Sequence, residues 1–194
     1  VWGIMPSHSE IDGVPAHGHE WLLNTLLRQE WGFRGMVVSD YHDIHRLRIL
    51  HGVAATEEEA VRLALKAGVN LDQPRGESYV FLPQALATHP DYVKHLDQRV
   101  REVLRVKFML GLFENPYVDQ QRALAIQDDP FNKALALEAA EKAVILLKNE
   151  NDILPLDKKK ASRIALIGPK AEETILGGYT FRGKQVQSIH DGLK

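Results

Sequence analysis

Asp40 is the residue that most invites chemistry. It closes the apolar run Met36-Val37-Val38 in the stretch "GFRGMVVSDYHDI" and is followed by Tyr41. A carboxylate at the end of a strand is held by a rigid scaffold, and holding a nucleophile in place lowers a barrier substantially. Neighbouring hydrogen-bond donors or a cation would keep such a carboxylate ionised. Tyr41 could offer its ring face to a sugar ring. The competing reading is structural: Asp40 caps the next helix or pairs with an arginine. Spacing alone leaves both open.

Other candidates carry weaker signals. His17 and His19 form an H-x-H pair, and His8, His42 and His45 fall near strand ends. H-x-H after a strand fits a metal-dependent hydrolase. These two lie several residues past the strand, however, and a zinc site needs a third ligand and an open position. Ordinary loop histidines are the plainer reading, and no metal site is expected. Glu10 and Asp12 offer paired carboxylates for acid/base work, but Asp12-Gly13 is also a turn signal. No G-x-G-x-x-G follows a strand and no G-x-x-x-x-G-K-[ST] is present, so phosphate and dinucleotide chemistry have no support. Gly177-Gly178 reads as a turn.

The elements that must position Asp40 repeat as strand–helix units. "VWGIM" reads as a strand, followed by the polar loop "PSHSEIDGVPAHGH" and the helix "EWLLNTLLRQEW", which Gly32 stops. "GMVVS" is the next strand, with loop and turn residues expected to about Val53. "TEEEAVRLALKAG" opens on the capping box of Thr56 and Glu59 and closes on Gly68. "GVNLD" is a third strand. Short apolar strands alternating with helices predict an α/β fold with a parallel sheet. The strands all end in polar residues at the same end, which favours a (β/α)8 barrel with its site at that face. A helix is expected from Asp91 to Leu112, with Leu96, Val100, Val103, Leu104 and Phe108 on one face and Arg99, Arg101, Glu102 and Arg105 standing off it. Asn115-Pro116 then starts a linker. A helix follows with Asp129 as N-cap and Pro130 at its first position. "RIALIG" reads as the first strand of a new unit, and the glycine-rich tail closes nothing.

Composition narrows the class. The chain has 194 residues, 44% hydrophobic and 26% charged, values of a globular protein. Net charge is -2, and the longest basic run, Lys158-Lys159-Lys160, follows a turn, so no nucleic-acid partner is expected. There is no cysteine, hence no disulfide framework and no thiolate metal site. No run is long and apolar enough to span a membrane. The chain opens at Val1 inside a strand pattern without an initiator Met, and is expected to lack its natural N-terminus.

The blocks "MPSHSEIDGVPAH", "LLRQEWGFRGMVVSDY", "LALKAGVNLD", "VLRVKFMLGLFENPY" and "AVILLKNENDILPL" occur in an order that resembles glycoside hydrolase family 3, the β-glucosidase and β-xylosidase family. The G-F-x-G-x-V-x-S-D-[WY] signature is the most specific of them. The resemblance implies the last three strand–helix units of a (β/α)8 barrel over residues 1–112, a linker over 113–130, and the first elements of an α/β sandwich domain over 131–194. It implies a retaining, exo-acting hydrolase of oligosaccharide or aryl β-glycosides that needs no cofactor. Asp40 matches the family's nucleophile. Tyr41 matches the aromatic that lines the first sugar subsite, and Met5 matches that subsite's Met. His8 stands where Tyr is common, and Asn70 where Asp is usual; the latter departure is expected to touch structure more than chemistry. The residues that bind sugar hydroxyls and the general acid/base are expected outside this stretch, so little turnover is expected of it alone. Two other readings are a carbohydrate-binding relative without the chemistry, and a metal-dependent barrel hydrolase built on His17 and His19.

Overall fold

The fold comes from a computed structural model. It describes residues 1–157, 159–160, 163–174, 176–180 and 186–194. Lys158 of the basic run and residues 181–185 of the glycine-rich tail lie outside the described residues. The chain divides into two compact units, Val1–Gln120 and Gln121–Lys194.

The first unit is α/β. Strand β1 (Gly3–Ile4) pairs in parallel with β4 (Met36–Tyr41), and β4 pairs in parallel with β5 (Leu71–Gln73), giving the order β1-β4-β5. Gly35 allows the close approach of β1, since a Cβ there would sit 2.4 Å from the Trp2 carbonyl oxygen. The polar loop after β1 holds a small antiparallel hairpin, β2 (Glu10–Ile11) and β3 (Val14–Pro15), closed by Asp12 and Gly13, both at positive φ. That is the geometry of a two-residue primed turn, so Asp12 serves a turn. A π-type helix, Trp21–Glu30, crosses from the hairpin toward β4.

The segment after β4, expected as loop to Val53, contains helix α1 (Asp43–Ile49). It is short, and its N-cap His42 sits at φ 64 with no side-chain cap. Neither a capping residue nor a long periodic run announces it. Ile44 and Leu47, one turn apart, are fully buried and hold it to the core. Helix α2 (Glu57–Ala67) has the expected cap: the Glu59 N–H donates to Thr56 Oγ1. The reciprocal bond runs from the Ala55 N–H, one residue upstream, to Glu59 Oε2. Gly68 ends α2 at φ 124, a conformation L-residues avoid. Leu23, Val37, Ile44, Leu47, Val61 and Val69 form the centre of the core, each worth about 1.5–3 kcal/mol when buried.

A short helix α3 (Leu82–Thr88) follows β5, and then α4 (Val93–Met109). The α4 faces are not as expected from the pattern. Arg99, Glu102 and Val106 are buried, whereas Val100, Leu104 and Phe108 are exposed. The charged side chains turn inward because they pair with one another. Arg28 Nη2 lies 2.9 Å and Arg99 Nη2 3.3 Å from Glu102. The Asn70 amide donates to Glu102 Oε2 at 2.7 Å, and the Asn70 Oδ1 accepts from the Val37 N–H at 2.7 Å. Asp at position 70 would set a second carboxylate against Glu102, so the departure at Asn70 is structural. The Leu96, Val100 and Leu104 stripe instead lines an open groove with Leu65, Leu71 and Leu82.

The second unit contains α5 (Gln120–Asp128, which begins one residue before it), α6 (Pro130–Ala143) and a short α7 (Ile189–Leu193). Asp129 caps α6 by accepting from the Phe131 N–H at 2.8 Å. The strand expected over Arg163–Gly168 is not formed: these residues have no regular secondary structure. A strand requires a partner for its backbone groups, and the second unit has none among the described residues. Its described apolar side chains are all at least partly exposed, Ile145 and Ile167 among them.

Candidate active site

Two polar clusters lie at opposite ends of the parallel strands. The Arg28–Asn70–Glu102 cluster meets the start of β4 and the lead-in to β5. The other, containing Asp40, lies where β4 ends. Val37 and Ser39 of β4 point into the core. Ser39 Oγ accepts from the Gln73 N–H at 2.8 Å and so ties β4 to β5 just below the site. Asp40 points to the other side and is partly exposed.

Asp40 neither caps α1 nor pairs with an arginine among the described residues. Its Oδ1 accepts from the Tyr41 N–H at 2.6 Å, and its Oδ2 lies 2.8 Å from His8 Nε2. Each oxygen therefore has a partner, and the side chain as a whole stays 26% exposed. Tyr41 is half exposed, as a ring that meets a ligand would be. Met5 lies one residue beyond β1, at the same end of the sheet, and is exposed. The site candidates Met5, His8, Asp40 and Tyr41 all fall at this end.

His8 has a second partner. Its Nδ1 is 2.6 Å from Asp43 Oδ1, in the first turn of α1. Asp43 is buried and also meets His17 Nδ1 at 3.1 Å and Arg46 Nη1 at 2.9 Å. The tautomer of His17 follows from its surroundings. Its Nε2 accepts from the Asp40 N–H at 3.1 Å, so the proton must sit on Nδ1 and point at Asp43. Burial lowers the His17 pKa, opposed by the charges of Asp43 and Asp40.

The H-x-H pair does not converge. His19 turns to the start of the Trp21–Glu30 helix, accepting from the Leu22 N–H at 3.4 Å, while His17 serves β4 and α1. Glu10 and Asp12 are engaged separately: Glu10 binds His51 Nδ1 at 2.7 Å and Asp12 occupies the hairpin turn. His42 and His45 pair with Glu77 and Glu57. Three ligand-type groups, His8, Asp40 and Asp43, do lie close together. The Arg46 guanidinium, 2.8 Å from His8 Nδ1 and 2.9 Å from Asp43, already places a cation on that cluster. Sequence reasoning missed Asp43 and Arg46, which lie one helical turn apart inside a helix that left no signal of its own.

The neutral His17 gives stability a pH dependence. Its folded pKa is lower than its unfolded value of about 6.5, so the unfolded chain binds the proton first. The stability is present above pH ~6.5 and is lost as pH falls below it. The thermal midpoint of the wild type is expected to drop more between pH ~7 and ~5 than that of His17→Gln, measured in matched buffers. Equal drops in the two proteins would contradict this.

The Glycosyl hydrolase family 3 N terminal domain matches residues 1–106, and the Glycosyl hydrolase family 3 C-terminal domain matches residues 144–194. The chain belongs to glycosyl hydrolase family 3. It is 46% identical over 171 residues to a putative beta-xylosidase of Formosa agariphila, covering 88% of this chain and 23% of that protein. It resembles the structure of a β-glucosidase from Erythrobacter marinus at 39% identity and a TM-score of 0.81, covering 99% of this chain and 25% of that one. A Listeria innocua beta-glucosidase solved in complex with glucose is 30% identical with a TM-score of 0.65, covering 78% of this chain and 21% of that one. The chain thus spans roughly a quarter of the length of the relatives it matches.

Proposed function

We propose that the full-length protein carrying this chain is a retaining, exo-acting β-glycosidase of β-glucosides or β-xylosides, with Asp40 as nucleophile. The observation that carries this reading is the setting of Asp40. Its carboxylate stands at the end of the central parallel strand with one oxygen on the Tyr41 N–H and the other on His8. The names of the relatives supply the substrate class: a beta-xylosidase, a β-glucosidase and a beta-glucosidase holding glucose.

In this mechanism an Asp40 oxygen attacks the anomeric carbon as the glycosidic C–O bond breaks. The departing alcohol takes a proton from a general acid. Water, deprotonated by the same group, then attacks the anomeric carbon and releases Asp40 as carboxylate. The Tyr41 N–H and His8 stabilise the charged carboxylate before attack and after release. Tyr41, His8 and Met5 border the sugar. The three parallel strands suit the last strand–helix units of a (β/α)8 barrel over residues 1–112, whose catalytic face is the C-terminal end of its strands. The linker proposed over residues 113–130 carries helix α5 (Gln120–Asp128) and the boundary between the two units, and residues 131–194 would open an α/β sandwich. His17 and His19 turn to different partners, so the metal-dependent reading loses the pair it was built on.

A 2-fluoro β-glucoside or β-xyloside with a good leaving group is expected to inactivate the full-length protein by stoichiometric labelling. Peptide mapping should place the label on the peptide containing Asp40. A label on another carboxylate would overturn the assignment, and resistance to both reagents would overturn the activity.

A further inference from the structure

We propose that Asp43 is a positioning residue for the nucleophile, holding His8 and His17 and through them both the side chain and the backbone amide of Asp40. This rests on the reading of Asp40 as nucleophile. Asp43 itself never reaches the sugar. It is 2% exposed, under the first turn of α1, and its oxygens face His8 Nδ1, His17 Nδ1 and Arg46 Nη1.

Two chains of contacts run from it to Asp40. The first is Asp43–His8–Asp40, at 2.6 Å and 2.8 Å. With a carboxylate at each ring nitrogen, the imidazole cannot turn without losing a partner, so Nε2 stays on Asp40 Oδ2. Arg46 Nη1 lies 2.8 Å from the same Nδ1 and 2.9 Å from Asp43, so Asp43 also places the cation that flanks this side of the ring. The second is Asp43–His17–Asp40 N, at 3.1 Å and 3.1 Å. Without the Asp43 acceptor, the buried His17 could take the other tautomer. Its Nε2–H would then oppose the Asp40 N–H and push the end of β4 away. Arg46 balances the charge of Asp43, so the buried carboxylate is paired. One buried group thus fixes the nucleophile from both sides.

The test uses the full-length protein and the rate of covalent labelling of Asp40 by the 2-fluoro glycoside. Asp43→Asn is expected to slow labelling by about 10²-fold, because small misplacements of reacting groups cost that much. The KM for an aryl glycoside should change by no more than about threefold, the mark of a loss confined to the transition state. The double variant with His8→Ala should be slower than His8→Ala alone by clearly less than Asp43→Asn costs in the wild-type background, since residues in one network couple. Wild-type labelling in Asp43→Asn, or fully multiplicative losses, would overturn the proposal. If Asp43→Asn does not fold, His8→Ala decides. Its side chain is half exposed, and labelling at the wild-type rate would overturn the positioning role. Failure of the nucleophile assignment is distinguishable, because it would show in the wild type as a label away from Asp40.

Discussion

Replacing Asp40 by Ala or Asn in the full-length protein should lower kcat by roughly 10⁴- to 10⁶-fold, the scale seen when a covalent nucleophile is removed. That is about 5–8 kcal/mol of barrier. The loss is large because no other group can substitute. Among the described residues at this end of the sheet, Asp43 is the nearest carboxylate, and it is buried under His8, His17 and Arg46. The fold should survive. Asp40 is partly exposed, and the β4 side chains that enter the core are Val37 and Ser39. Asp40→Asn keeps an oxygen for the Tyr41 N–H and the shape of the side chain, so its thermal midpoint should stay close to that of the wild type. With folding intact, the kinetic loss belongs to the chemistry. A variant that keeps more than about a hundredth of wild-type kcat, after contaminating wild type is excluded by a slow-substrate control, would remove Asp40 from the nucleophile's role.

The largest effect on stability should come from Glu102→Ala. Glu102 is 1% exposed and accepts from Arg28, Arg99, Asn70 and Gln98. Removing it strands two guanidinium groups in a poorly solvated site, where burial already lowers the pKa of both and Glu102 opposes that shift. Breaking a buried pair by deleting one partner costs about 3–5 kcal/mol. Arg28 also holds the Gly35 carbonyl and Asn70, so its displacement would reach the starts of β4 and β5. Urea denaturation should show a shifted midpoint at an unchanged slope. A shift worth less than about 1 kcal/mol would mean that water or a rearranged side chain replaces Glu102, and that the cluster is marginal, as exposed pairs are.

Much of the chain was legible from local pattern. The α2 cap at Thr56, its stop at Gly68 and the α6 cap at Asp129 stand where the sequence placed them. Each is a bond or backbone conformation set within a few residues, so each is written in neighbouring side chains. The same holds for β4 and for Asp40 at its end. The expected strand at Arg163–Gly168 failed because a strand depends on a partner, which local pattern cannot supply. The inward face of α4 was misread for a related reason. Amphipathic pattern assumes that charge faces water, whereas Arg99 and Glu102 are buried with Arg28, more than 70 residues away.

The sequence by itself determined that a carboxylate would close a central strand of an α/β sheet, and where α2 would start and stop, because periodicity and capping are short-range; α1, between the two, left no such mark. Only the tertiary structure decided what touches that carboxylate. His8 meets Asp43 across 35 positions of sequence, and His17 meets the Asp40 amide across 23. Such contacts depend on how β1, β4 and α1 pack, and a hydrogen bond between distant residues exists only once that packing has brought them together.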